Sequence, residues 1–280
     1  MADFPRTTVD GVSLSRMIVG TNWFLGYSHH SGAKDKFIRE FQTVERVADT
    51  MTVFFESGVD TVMGMPTPML SEAIKTAEDR TGREGALILT PGFGMAENGP
   101  DFDSAAEAFD QAKELGAKFC FPHTSATDQL LDPLRGEIRG YPKLAEMIRD
   151  RDMIPGLSTH LPQSVIIADN QDYDVASYIQ IYNAAGFLMP VEVDWVMRVI
   201  RNAKKPVMTI KSMAAGKLLP PVGLAFSWAT LRDQDMVTVG TTTADEAREL
   251  LELSFDFLSH RMPDNQLQKT RSKKSLEAAN

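Results

Sequence analysis

The chain has 280 residues, 43% of them apolar and 24% charged, with a net charge of −9 and one cysteine, Cys120. That composition belongs to a soluble globular protein, and an acidic chain without a basic stripe is a poor nucleic-acid binder. A lone cysteine excludes an internal disulfide framework, and no apolar stretch approaches the roughly 20 residues of a membrane span. The opening "MADFPRTTVDG" shows no leader pattern. The expectation is a cytoplasmic protein acting on a small molecule, without nucleic acid or membrane, and with homo-oligomerisation open.

Eight short apolar runs follow in order: "MIVGTNWF" (17–24), "VDTVMGM" (59–65), "GALILT" (85–90), "AKFCFPH" (117–123), "MIPGLSTH" (153–160), "ASYIQIYN" (176–183), "PVMTIK" (206–211) and "MVTVG" (236–240). Most are rich in β-branched or aromatic residues and bounded by Gly, Pro or Asn, the signature of buried strands. Between them lie amphipathic patterns. Phe37, Phe41, Val44, Ala48, Met51 and Phe55 recur at helical steps after the first run. Ala105, Ala108, Phe109, Ala112 and Leu115 do so before the fourth, with Gly116 as a stop. A last helix is predicted from about 244 to 260 behind the capping hydroxyls "TTT".

Strands alternating with helices predict parallel pairing with crossover helices. Eight such units match an α/β fold of the (β/α)8 TIM-barrel kind, spanning 1–265, with a polar tail at 266–280. Residues 124–140 form the longest connection without an assigned element.

Barrel sites are built where strands end and loops begin. His29 and His30 follow the first run, His123 ends the fourth and His160 the fifth; only His260, near the end of the last helix, falls elsewhere. Convergence at the mouth would make His29, His30, His123 and His160 candidate ligands of a divalent metal such as Zn or Mn, or acid–base groups. The bland alternative is that each only hydrogen-bonds a neighbour.

Lys211 ends the seventh run, where an unpaired ammonium needs solvent, a carboxylate or a ligand. Thr21, Asn22, Thr90 and Asn183 also fall at strand ends and suit hydroxyls or a carbonyl. "KSMAAGKLLPP" and "GTTTADEA" offer small residues at helix starts, so Ser212, Gly216, Thr241, Thr242 and Thr243 are candidate anion or cofactor contacts.

These stretches resemble the aldo-keto reductases. "VDGVSLSRMIVGTNWF" is similar to that family's opening turn and first strand, "MIPGLSTHLPQSV" to its fifth, and "YIQIYNAAG" to its sixth with Gln180 and Asn183. "MTIKSMAAGKLL" and "VTVGTTTADEARELLE" resemble its last two strands and cofactor loops. The resemblance implies NADP along loops 7 and 8 and a catalytic set of Asp, Tyr, Lys and His. His123 matches the last, but Thr90 stands where the lysine belongs, and "VMGMPTPMLSEA" supplies neither Asp nor Tyr. Of the basic residues that grip a 2′-phosphate, only Arg248 is at hand.

The leading expectation is therefore a barrel that has lost reductase chemistry. It would catalyse isomerisation, epimerisation or elimination on a small sugar-like or phosphorylated carbonyl compound, with His123, His160 and Lys211 catalytic and a metal assisting. The alternatives are an NADP-dependent oxidoreductase with rearranged residues, His123 and Tyr27 serving the proton, and a non-catalytic ligand-binding barrel.

Overall fold

The computed structural model describes residues 3–263. The eight apolar runs supply eight barrel strands: Met17–Gly20, Thr61–Gly64, Ala86–Leu89, Phe119–Cys120, a fifth in two pieces (Ile154–Pro155 and Leu157–Thr159), Tyr178–Ile181, Val207–Ile210 and Met236–Val239. All pair in parallel. The hydrogen-bonded order starts at one piece of the fifth strand and ends at the other, so the sheet returns to its own starting chain. Gly156 separates the pieces. A methyl group there would overlap the Phe121 ring, so the absent side chain is what lets the strand pass over that ring. This is a (β/α)8 barrel.

Two hydrophobic clusters form because each strand has two buried faces. Inward residues, among them Ile18, Met63, Ile88, Phe119, Ile179 and Met208, fill the barrel. Outward residues such as Val19, Val62, Leu87 and Val237 pack against the surrounding helices. A hairpin of Arg6–Val9 and Val12–Ser15 plugs the N-terminal end, adding Val9 and Leu14 to the inner cluster. Its turn, Asp10–Gly11, has φ of 49° and 78°, the left-handed pair that a two-residue hairpin requires. Arg6 pairs with Asp60 at 2.7 Å, and buried Asp235 receives Arg232 at 2.7 Å. With both ion pairs at the end where strands begin, the opposite end is left for a ligand.

Local outcomes differ from the sequence expectation in three places. The apolar stripe from Phe37 to Phe55 belongs to two helices, Gly32–Phe41 and Val44–Glu56. Thr43 breaks it by accepting from the Arg46 N–H as an N-cap, and Phe37 is left 49% exposed, stacked on Phe41. The first strand ends at Gly20, four residues early, and Asn22–Leu25 turns helically. Residues 124–140 hold a helix, Thr124–Leu130, and a small ribbon of Leu131–Asp132 with Glu137–Ile138. The last helix runs Ala244–Leu258 behind Thr243, whose hydroxyl accepts from the Glu246 N–H. His260 lies just beyond it, exposed. The tail at 266–280 lies outside the described residues.

Candidate functional site

A cavity of about 480 Å³ opens where the strands end. Thr21, Asn22 and His29 reach it from the first loop, Thr90 and His123 from the third and fourth strands, and His160 from the fifth. Lys211, Ser212 and Gly216 come from the seventh loop, and Thr241 and Thr242 from the eighth. Three of the four mouth histidines therefore share one cavity with Lys211.

His123 is held by its own helix. It is the N-cap of Thr124–Leu130, and its Nδ1 accepts from the Ser125 N–H at 3.2 Å, with the Ser125 hydroxyl 2.8 Å away. An accepting Nδ1 puts the proton of the neutral ring on Nε2. Burial, then the charge of Lys211, holds His123 below the usual histidine pKa, so it is neutral at pH 7.

His160 is fixed from behind by Asp128. That carboxylate accepts from the His160 N–H at 3.2 Å, from the Thr159 hydroxyl at 2.5 Å and from the Thr124 hydroxyl at 2.7 Å. The His160 Nε2 stands 3.4 Å from Lys211 Nζ. Burial and then Lys211 push this imidazole down to about 4. Burial likewise brings Lys211 down to about 8. His29, exposed at the rim, is also lowered, by desolvation and then by Lys211. The cluster thus carries one positive charge at neutral pH, on the amine, with neutral rings around it.

His30 belongs elsewhere. Its Nε2 contacts the Ala215 carbonyl oxygen and its ring packs edge-on to Trp23, so it ties the first loop to the seventh and does not line the cavity. Asn183 is fully buried and spends its amide on the Phe187 backbone, donating at 3.0 Å and accepting at 2.8 Å. It fixes its own loop and offers nothing to a substrate. Thr90 lines the cavity, but its hydroxyl donates to the Gly64 carbonyl at 3.2 Å. Thr21 and Thr241 are different, since both hydroxyls are buried with no partner among the described residues.

The proposed anion loops are only half open. Ser212 donates to the Thr238 carbonyl at 3.3 Å, and Thr243 is committed to capping the last helix. The Thr242 N–H already donates to the Glu246 carboxylate at 2.6 Å, so a side-chain anion holds the place offered to a ligand. Glu246 and Glu249 both line the cavity, and Arg248 is exposed and paired with Asp245 at 2.6 Å.

The expected metal site is not built. Among the described residues no group of three or more His, Cys, Asp or Glu is placed to hold an ion. His30 faces another loop, and the ammonium beside His160 would repel a cation. Sequence reasoning missed Asp128, Ser125 and Glu246. Asp128 and Ser125 lay in the unassigned connection, where a T-S-x-x-D helix start was the available signal.

No family model and no curated protein matches the sequence. Solved structures do. An aldo-keto reductase from Pseudomonas aeruginosa is 14% identical, with a TM-score of 0.65, over 91% of this chain and 97% of its own. A glycerol dehydrogenase from Gluconobacter oxydans is 10% identical, with a TM-score of 0.58, over 95% and 99%. An aldo-keto reductase from Klebsiella pneumoniae, described in complex with NADP and acetate, is 11% identical, with a TM-score of 0.52, over 99% and 94%. These neighbours are reductases and dehydrogenases, which overturns the expectation of an isomerase, epimerase or lyase. At such identities the likeness is one of fold, and the chain has the barrel fold of the aldo-keto reductases.

Proposed function

We propose that the protein is an oxidoreductase that uses a nicotinamide dinucleotide to interconvert a small carbonyl compound and its alcohol. The observation that carries this reading is the Lys211 ammonium in the cavity with neutral His123 and His160, on a barrel whose structural neighbours are reductases. A polar ligand fits the cavity, whose lining brings the Lys211 ammonium together with the neutral His123 and His160 rings. A bound nicotinamide dinucleotide supplies the hydride. The chain's own part is the oxygen. His123 offers a neutral Nε2–H to polarise the carbonyl, and the oxygen takes a proton from the Lys211 ammonium as negative charge builds on it. Lys211 returns to its charged form from solvent. An amine lowered to about 8 is a suitable acid near neutral pH.

This assigns the missing tyrosine's task to Lys211, at the end of the seventh strand instead of the second. Glu246 and Glu249 suit hydroxyl groups and oppose a phosphate, so NADH and NADPH are titrated side by side. Quenching of intrinsic fluorescence by either, followed by dinucleotide oxidation on addition of carbonyl compounds, is the expected result. Failure of both forms to bind would leave the reading without its hydride source and end it.

A further inference from the structure

Lys211 is the only cation lining the described cavity, and no carboxylate pairs with it among the described residues. Neighbouring cations are matched. Lys34 lies over the Phe37 ring at 4.8 Å, Lys217 over Phe187 at 4.0 Å, and Arg248 meets Asp245. Of the three N–H donors on the Lys211 ammonium, one is placed toward His160 Nε2, and two are left without an acceptor among the described residues. The backbone here is unusual too. Lys211 has φ of 61°, and Ala214 and Ala215 follow with 49° and 54°. Left-handed backbone at three non-glycine residues is retained only where the surroundings enforce it, which happens most at ligand sites.

Resting on the oxidoreductase reading, we infer that Lys211 is the receptor for a carboxylate adjoining the reacting carbonyl. The substrates are then 2-oxo acids, or 2-hydroxy acids in the oxidative direction. Such a molecule presents a carbonyl oxygen and a carboxylate oxygen on one side. These are two acceptors carrying one negative charge, matched to two vacant donors carrying one positive charge. The remaining cavity groups agree. His29, His123 and His160 face Lys211 from the first, fourth and fifth loops and are neutral at pH 7, so they neither compete for the anion nor cancel the ammonium. Glu246 and Glu249, from the last helix, are the lining carboxylates, and neither makes an ion pair with Lys211.

The test is calorimetric titration of the full chain with oxamate, a non-reducible mimic of a 2-oxo acid, with and without saturating dinucleotide. Oxamate should bind at pH 7 in the presence of dinucleotide, and at least tenfold more weakly in Lys211→Met. In the unaltered protein its affinity should fall by a similar factor between pH 7 and pH 9.5, as Lys211 loses its proton. Displacement of oxamate by dinucleotide would instead give Lys211 to the cofactor's diphosphate and overturn the assignment. Equal affinity in a folded Lys211→Met protein would also overturn it. Should that variant not fold, a pH-independent affinity in the unaltered chain decides against the assignment by itself. Oxamate binding through Lys211 with no dinucleotide binding would remove the oxidoreductase reading and leave the carboxylate receptor standing.

Discussion

Replacing Lys211 by methionine should make the protein more stable and inactive at once. Methionine keeps an unbranched stem of four heavy atoms and removes the ammonium that the cavity leaves without a carboxylate partner. The fold lowers this amine from 10.5 to about 8. At about 1.4 kcal/mol per tenfold that corresponds to about 3 kcal/mol against the charged form. The ammonium lines an open cavity, and water reduces the figure to about 2 kcal/mol. The sign follows from proton binding. Between about pH 8 and 10.5 the unfolded chain holds this proton and the folded chain has lost it, so the unaltered protein gains stability as pH rises through that window. Below it, the burial cost is present in full. Urea unfolding at pH 7 should therefore show Lys211→Met about 2 kcal/mol more stable, with the difference vanishing near pH 10.5. A variant less stable than the parent at pH 7, or a difference that ignores pH, would refute the claim that the ammonium waits for a ligand.

Three further outcomes follow. His123→Asn should cut turnover by about 100-fold or more with unchanged urea unfolding, because it removes the polarising Nε2–H and little packing; steady-state kinetics on the folded variant check this. Stability should fall as pH drops from about 6.5 to 4, where the unfolded chain protonates His160 and the folded chain does not; a pH series of unfolding curves should show a shallower slope in His160→Gln, with the remainder from His123 and His29. Gly156→Ala should cost about 2–3 kcal/mol, since the new methyl must displace the fully buried Phe121 ring where the barrel closes; thermal melts measure it.

Most of the fold was legible because it rests on local signals. Eight apolar runs, most of them rich in β-branched or aromatic residues, separated by helical periodicity leave few topologies, and the Thr243 signal marks a cap through chemistry within a few residues. The candidate site was legible only as a list. Placing His123, His160 and Lys211 at strand ends put them at one mouth, and that much needed nothing beyond strand order. What each side chain does there depended on partners distant in the chain. Asn183 turned away because the Phe187 backbone meets its amide, and His30 because the Ala215 carbonyl lies within its reach. Thr242 lost its N–H to Glu246, and the split of the fifth strand followed from the Phe121 ring beneath Gly156. The sequence sets which groups arrive at the mouth of the barrel, through strand periodicity. Only the closed structure decides which of them are already satisfied by hydrogen bonds to the protein and which, like Lys211, are left for a ligand.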